Sequence, residues 1–403
     1  MKTRRGAYYS CHAAATAPGE GPEAVHRRKR RRTVSEGSPA AAGTPGVRLA
    51  RDMFEELPDD LVVSILRDVA ASAGSLADLA GAMLTCKRFR ELGQSKVVLA
   101  RASPRCLAVR AKAWSDDAHR FLQRCADAGN VEACYLLGMI RFYCLGGSCG
   151  SGAALMAAAA VRGHREALYS LAVILFNGSG GGKDDRDLRA GAALCARAAS
   201  LGHVDALREL GHCLQDGYGV RRSVLEGRRL LIQANARELQ AAVTASASMA
   251  GAGAGGGKGS AAPRRHSCLL SDFGCRAASG ETHAANRFLV DWFASRPLGA
   301  SAAAAPGGNG NPGTAAASPE EDGAGSLRLC SQAQCGRAET RRHEFRRCSV
   351  CGVVNYCSRA CQALHWKMAH KAECTPTDRW LDVAVGGGGV AQANANANAD
   401  AAP

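Results

Sequence analysis

Between Cys330 and Cys374 the chain places seven of its 18 cysteines in a stretch too short to build an ordinary apolar core. The donors come in close pairs: Cys330 with Cys335, Cys348 with Cys351, Cys357 with Cys361, and His370 with Cys374. Four such pairs suit two tetrahedral Zn²⁺ ions, and bound metal would supply the folding energy that so small a segment lacks. His343, His365 and His370 compete for the eighth ligand position. His365 shares a helical face with Cys357 and Cys361, but choosing it strands Cys374, whereas His370 leaves every ligand with a companion. One site then has four thiolates and the other has three thiolates and an imidazole. Neither keeps an open position for a catalytic water, so the metal is structural and no catalytic residue is expected. Spacing alone permits either sequential or interleaved sites.

The net charge of +15 invites a nucleic-acid reading, and its distribution argues against one. Residues 1–52 carry 11 Lys and Arg against 4 Asp and Glu, and residues 328–379 carry 10 against 4, while the rest nearly cancels. Seven thiolates holding two Zn²⁺ ions would shift the cysteine segment by about −3, so its arginines partly balance buried sulfur. Many cysteines without a secretory leader point to a reducing compartment, and no apolar run reaches membrane-spanning length. A nuclear or cytoplasmic protein is expected.

Residues 1–52 are polar, rich in Ala, Gly and Pro, and expected to be disordered. Their basic run, Arg27, Arg28, Lys29, Arg30, Arg31 and Arg32, reads as a nuclear-import signal. From Met53 the composition changes. Pro58 suits a first helical turn, Asp59 and Asp60 favour the positive end of its dipole, and Leu61, Ile65, Leu66 and Val69 form an apolar stripe. Ser75 and Asp78 read as a capping box for a second helix, and Phe89 and Leu92 mark a third.

Between Ser103 and Glu238 a motif recurs at Asn130, His164 and His203, each beginning a turn that leads into an apolar helix. The spacings of 34 and 39 residues are those of helix-turn-helix solenoid units. Small residues at Gly138, Ala172 and Gly211 recur where helices approach closely. Because His164 and His203 fill one repeated turn position, they read as structural rather than metal-binding. Residues 241–265 and 299–325 have linker composition, the second detaching the cysteine-rich module mechanically from the helices. Between them, residues 266–298 form a helical segment with Phe288, Trp292 and Phe293, expected to cap the C-terminal end of the solenoid. Residues 385–403 are a low-complexity tail, expected to be disordered.

Three family resemblances follow from these residues. Leu57, Pro58, Leu61, Ile65 and Leu66, followed by Leu79, Cys86, Phe89 and Leu92, make residues 53–100 resemble an F-box, departing from it in a longer link around Gly74. That resemblance implies docking onto the Skp adaptor of a cullin-containing ubiquitin ligase. Residues 103–240 resemble Sel-like repeats of the tetratricopeptide superfamily, which hold protein partners. Residues 326–376 resemble a MYND-type zinc finger, with a first cysteine pair wider than usual. This implies a cross-braced arrangement, Cys330, Cys335, Cys357 and Cys361 at one ion and Cys348, Cys351, His370 and Cys374 at the other. It also implies a shallow groove for proline-containing peptides lined by Ser349, Gln362 and Trp366. A RING domain would place its histidine mid-series, and nothing resembles the cofactor-binding part of a SET methyltransferase.

The order of these modules resembles a plant family of F-box proteins. The fold expected is mainly α: a three-helix F-box, an α-solenoid and a small two-zinc module joined by disordered linkers. The function it implies is that of a non-catalytic substrate receptor in an SCF-type (Skp-cullin-F-box) ubiquitin ligase. The competing reading is a nuclear adaptor or co-regulator that acts through the finger without ubiquitin transfer.

Overall fold

In the computed structural model, described residues are 54, 56–250, 271–274, 282–296, 298 and 327–376. The basic run Arg27 to Arg32, residues 251–265 and 299–325 of the two linkers and the tail 385–403 lie outside them. From Glu56 onward the chain clusters as one unit, mainly helical. No helix among the described residues is long and apolar enough to cross a membrane.

Helix α1 (Asp59–Ser72) starts directly after Pro58, with Asp59 and Asp60 in its first turn. It packs against α2 (Leu76–Leu84), α3 (Lys87–Gly93) and α4 (Lys96–Leu99). The Asp78 carboxylate accepts from the N–H groups of Gly74 and Ser75, fixing the α2 entry. Val62, Leu66 and Ala70 face inward, whereas Leu61 and Ile65 stand on the opposite side. The apolar residues of α1 thus divide between two faces instead of forming one stripe. Ser103, the N-cap of α5 (Pro104–Leu107), ties this bundle to the next by donating its N–H to the Ala70 carbonyl at 2.9 Å and its hydroxyl to the Ala73 carbonyl at 2.5 Å.

The solenoid alternates outer and inner helices: α6 (Asp116–Asp127) with α7 (Val131–Tyr143), α8 (Cys149–Val161) with α9 (Arg165–Asn177), and α10 (Leu188–Ser200) with α11 (Val204–Asp216). The long α12 (Val224–Ala250) then packs on α11. Its last turns, Ala241 to Ala250, belong to a stretch expected to be linker. That stretch is Ala-rich and free of Gly and Pro until Gly251, so helix continues at low cost.

The repeated turn residue is the N-cap of each inner helix. Asn130 Oδ1 accepts from Ala133 N–H, and the Nδ1 atoms of His164 and His203 accept from Ala167 and Ala206 N–H, both at 3.2 Å. An imidazole that accepts at Nδ1 carries its proton on Nε2, and each turns that N–H on a carboxylate of the preceding repeat. His164 Nε2 lies 3.0 Å from Glu132, and His203 Nε2 lies 2.7 Å from Glu166. Burial alone would raise these carboxyls, but the histidine hydrogen bonds prevail and bring both down to about 2. The two histidines are therefore cap and inter-repeat link together, as their shared turn position implies.

Gly138 and Gly152 allow α7 and α8 to touch backbone to backbone. A Cβ on Gly152 would fall 2.6 Å from the Phe142 nitrogen, whereas one on Gly150, in the same helix, would meet nothing within 4 Å. Gly152→Ala should therefore lower the unfolding free energy by roughly 1–3 kcal/mol. Gly150→Ala should be neutral or stabilising by about 1 kcal/mol or less. Denaturant melts of the two variants check this, and equal midpoints would contradict the close α7–α8 approach.

Candidate functional site

The cysteine-rich segment folds around a two-stranded antiparallel ribbon, β1 (Arg346–Arg347) with β2 (Asn355–Tyr356), followed by α14 (Arg359–His365). The helical run continues through a wide turn at Trp366–His370 and ends at Glu373. The ribbon pairs Arg346 with Tyr356 and Arg347 with Asn355, and so brings the Cys348–Cys351 knuckle back over the helical run.

The structure gathers the predicted ligands into two groups, each with its donor atoms within 4.8 Å of one another. One is Cys330, Cys335, Cys357 and Cys361, and the other is Cys348, Cys351, His370 and Cys374. The first and third pairs share one group and the second and fourth the other, so the arrangement is cross-braced. In the first group Cys357 Sγ lies 3.6 Å from both Cys335 and Cys361 Sγ. In the second, Cys348 and Cys374 Sγ are 3.9 Å apart and Cys351 Sγ is 3.5 Å from His370 Nε2. Tetrahedral zinc with bonds of about 2.3 Å to sulfur and 2.0 Å to nitrogen puts its ligand atoms roughly 3.5–3.8 Å apart, so both donor sets fit Zn²⁺. The rival histidines are engaged elsewhere: His365 Nδ1 pairs with the Tyr356 hydroxyl at 3.0 Å, and His343 Nδ1 with Arg347 at 3.2 Å.

The finger is not detached from the helices. It sits in the groove formed by α9 and α11, and the second linker does not set its position. Three carboxyl and amide groups on those helices reach it. Glu209 accepts from Ala360 N–H at 2.9 Å, near the positive end of α14. Asn177 donates to the Cys357 carbonyl at 2.8 Å, and Asp216 pairs with Arg359. The Tyr169 hydroxyl donates to Ser358 Oγ at 3.1 Å, and Ser358 in turn caps α14 by accepting from Cys361 N–H. At the end of α9, the left-handed Gly178 leaves carbonyls free, and Arg341 donates to those of Asn177 and Gly178.

Arg337 joins the first metal group to the groove. Its guanidinium, 3% exposed, lies 3.5 Å from Cys335 Sγ and donates to Ser170 Oγ at 2.9 Å. A zinc ion with four thiolates carries two net negative charges, so a buried arginine beside it is partly neutralised. The inner helices carry the matching polar residues. The positions of Tyr135 and Leu136 in α7 become Tyr169 and Ser170 in α9, then Arg208 and Glu209 in α11. Arg208 and Glu209 are only 1% and 3% exposed. Arg208 bonds Glu238, Asn235 and the Asp272 carbonyl, and Lys367 of the finger reaches the same Glu238 at 3.0 Å.

Helix α13 (Ala284–Ser295) packs against α7 and the turn at Ala111–Ala113, so it covers the N-terminal repeat rather than capping the C-terminal end. Phe288 rests on Trp114 at a ring separation of 5.3 Å. The anchor is His283, whose Nδ1 accepts from Ala285 N–H while Nε2 lies 3.1 Å from Glu132 Oε1. Glu132, His164 and His283 form a third group of metal-type donors. Both imidazoles spend Nδ1 as acceptors of backbone N–H, so both Nε2 atoms carry hydrogen and offer a metal no lone pair. This group is a latch for α13.

The other predicted residues are spread over two faces. On α1, Leu61 and Ile65 are 48% and 42% exposed, Pro58 is exposed and Leu57 half-buried, while Leu66 is 1% exposed and supports them from behind. On the finger, Ser349 is exposed, and Gln362 and Trp366 are half-buried. The Trp366 ring lies 5.7 Å from that of Phe273, so part of it is engaged by the chain itself. The polar inner positions Ser170, Asn177, Arg208 and Glu209 were not singled out from the sequence. Their signal was present, since buried-face positions of an apolar repeat turn polar toward its C-terminal end.

Elemental analysis of the purified chain should find about two zinc ions, and acidification should release them as thiolates and imidazole protonate. One ion or none would overturn the eight-ligand assignment.

Comparison with known proteins agrees with this construction. Residues 330–374 match the MYND finger family and residues 107–197 match the plant tetratrico peptide repeats. An F-box protein of Arabidopsis thaliana is 55% identical over 369 residues, covering 89% of this chain and 90% of that protein. A second Arabidopsis thaliana F-box protein is 52% identical over 332 residues, covering 82% and 88%. Among solved structures, a Sel1 repeat protein from Oxalobacter formigenes is 24% identical, covers 29% of this chain and 86% of that one, and has a TM-score of 0.27. The chain belongs to the plant F-box proteins, and within it plant tetratrico peptide repeats precede a C-terminal MYND-type zinc finger.

Proposed function

We propose that the chain is the substrate-recognition subunit of an SCF-type ubiquitin ligase. The observation that carries this reading is the outward face of α1: Leu61 and Ile65 stand in solvent beside Pro58 and half-buried Leu57, while Val62, Leu66 and Ala70 hold the helix from within. Two large aliphatic side chains left outside on a well-packed helix suit burial by a partner. Membership in the F-box proteins supports the Skp adaptor and its cullin complex as that partner.

The repeats and finger then present the target. Because the groove is filled by the finger, the target meets their combined outer surface, with Ser349, Gln362 and Trp366 as the contacts for a proline-containing segment. The receptor needs no catalytic group. Holding the target near the charged ubiquitin-conjugating enzyme raises its effective concentration, and that suffices. The basic run Arg27 to Arg32 is assigned to nuclear import.

Leu61→Ala with Ile65→Ala should weaken binding to purified Skp adaptor by roughly tenfold or more. The thermal midpoint should stay near that of the unmodified chain, because both side chains are exposed. Val62→Ala should do the reverse, costing roughly 1–3 kcal/mol of stability through its buried position. Calorimetric titration with the adaptor reads both. Undiminished binding by the double variant would sink the ligase reading and leave the adaptor-independent co-regulator.

A further inference from the structure

We propose that zinc at Cys330, Cys335, Cys357 and Cys361 is a clasp that holds the finger in the solenoid groove. Loss of that ion uncovers the groove while the helices behind it stay folded. This goes beyond the ligase reading and does not depend on the adaptor.

The argument starts from where the groove contacts arise. Asn177 binds the carbonyl of a ligand, Cys357. Tyr169 and Glu209 bind Ser358 and Ala360, which lie between the ligands Cys357 and Cys361. Ser170 binds Arg337, two residues beyond the ligand Cys335 and 3.5 Å from its sulfur. Four separate groove side chains therefore hold residues that the first site positions, Asn177 and Glu209 through backbone groups and Tyr169 and Ser170 through side chains. Without metal nothing holds the four sulfurs together, and the 357–361 turn and Arg337 would lose their positions.

The second site is placed differently. Among the described residues this site closes on itself, Cys348 against Cys374 and Cys351 against His370, and Cys374 is partly exposed. Its loss leaves the first-site contacts in place.

The groove is also built to survive opening. Ser170, Asn177 and Glu209 are polar groups buried beneath the finger, and water can satisfy each once it leaves. A groove lined by leucines at these positions would unfold or aggregate when bared. The inner helices keep their own apolar contacts with α8, α10 and α12, which the finger does not supply. The α13 latch, through His283 and Glu132, lies on the first repeat, and Gly336 of the finger packs closely against Leu289 and Val290 of the same helix.

Hydroxyl-radical footprinting of the full chain tests this through Tyr169, a reactive and buried groove residue, with Leu79 of the α2 core as the folding control. Stripping both ions with a zinc chelator should raise Tyr169 labelling about tenfold and leave Leu79 unchanged, as local opening requires. Cys374→Ser should retain one zinc ion and a protected Tyr169. Arg337→Met should expose Tyr169 only where it loses the first ion. Tyr169 still protected after full stripping, Tyr169 and Leu79 exposed together, Tyr169 exposed in Cys374→Ser, or Tyr169 exposed in an Arg337→Met variant that keeps both ions would each overturn the clasp.

Discussion

A carboxylate buried in an α-solenoid is expensive unless something completes it, and Glu209 is completed by the first turn of α14. Burial pushes its carboxyl up, and the Ala360 N–H together with the Arg346 and Arg359 guanidinium groups opposes that shift. The same helix turn carries Cys357 and Cys361, so one short segment serves as zinc-binding turn and as the lid over a polar groove. The placement of the finger depends on this contact together with those of Tyr169, Asn177 and Asp216.

The metal groups extend that dependence. A four-thiolate zinc site is net negative, and Arg337 places its positive charge between that site and Ser170, which also meets the Tyr135 hydroxyl at 3.1 Å. The excess of arginine in this segment thereby acquires a structural use. Arg337 faces sulfur, Arg341 caps the end of α9, Arg359 pairs with Asp216, and Arg346 lies over Tyr218 at 4.9 Å. Basic residues committed to such contacts are not available to a phosphate backbone, which agrees with the charge argument against nucleic acid.

Much of the site was legible in the sequence because metal ligation imposes spacing. Eight donors in four pairs select His370 over His365 and His343, and the structure groups the eight as the MYND resemblance implies. The repeats were legible for a similar reason, since an N-cap imidazole must recur at one turn. Tertiary choices were not. A linker of low-complexity composition says nothing about whether the module beyond it docks, and the docking is written instead in Ser170, Asn177, Arg208 and Glu209. Helix α13 caps the first repeat and not the expected C-terminal end: its aromatic residues specify burial without naming a partner, which the His283–Glu132 and Phe288–Trp114 contacts supply. The ten residues from Ala241 to Ala250 read as linker by composition, although alanine without glycine favours helix.

The exposed face of α1 and the finger sit on one continuous helical frame, so the distance between them is set by packing rather than by linker length. The central claim is that the finger is seated in the solenoid groove. A zinc-edge anomalous diffraction structure of the zinc-loaded chain measures it directly. The account expects two zinc peaks, the first among Cys330, Cys335, Cys357 and Cys361, with Glu209 on the α14 backbone and Tyr169 on Ser358. A finger found away from α9 and α11, with the Glu209 carboxylate in solvent, would contradict it.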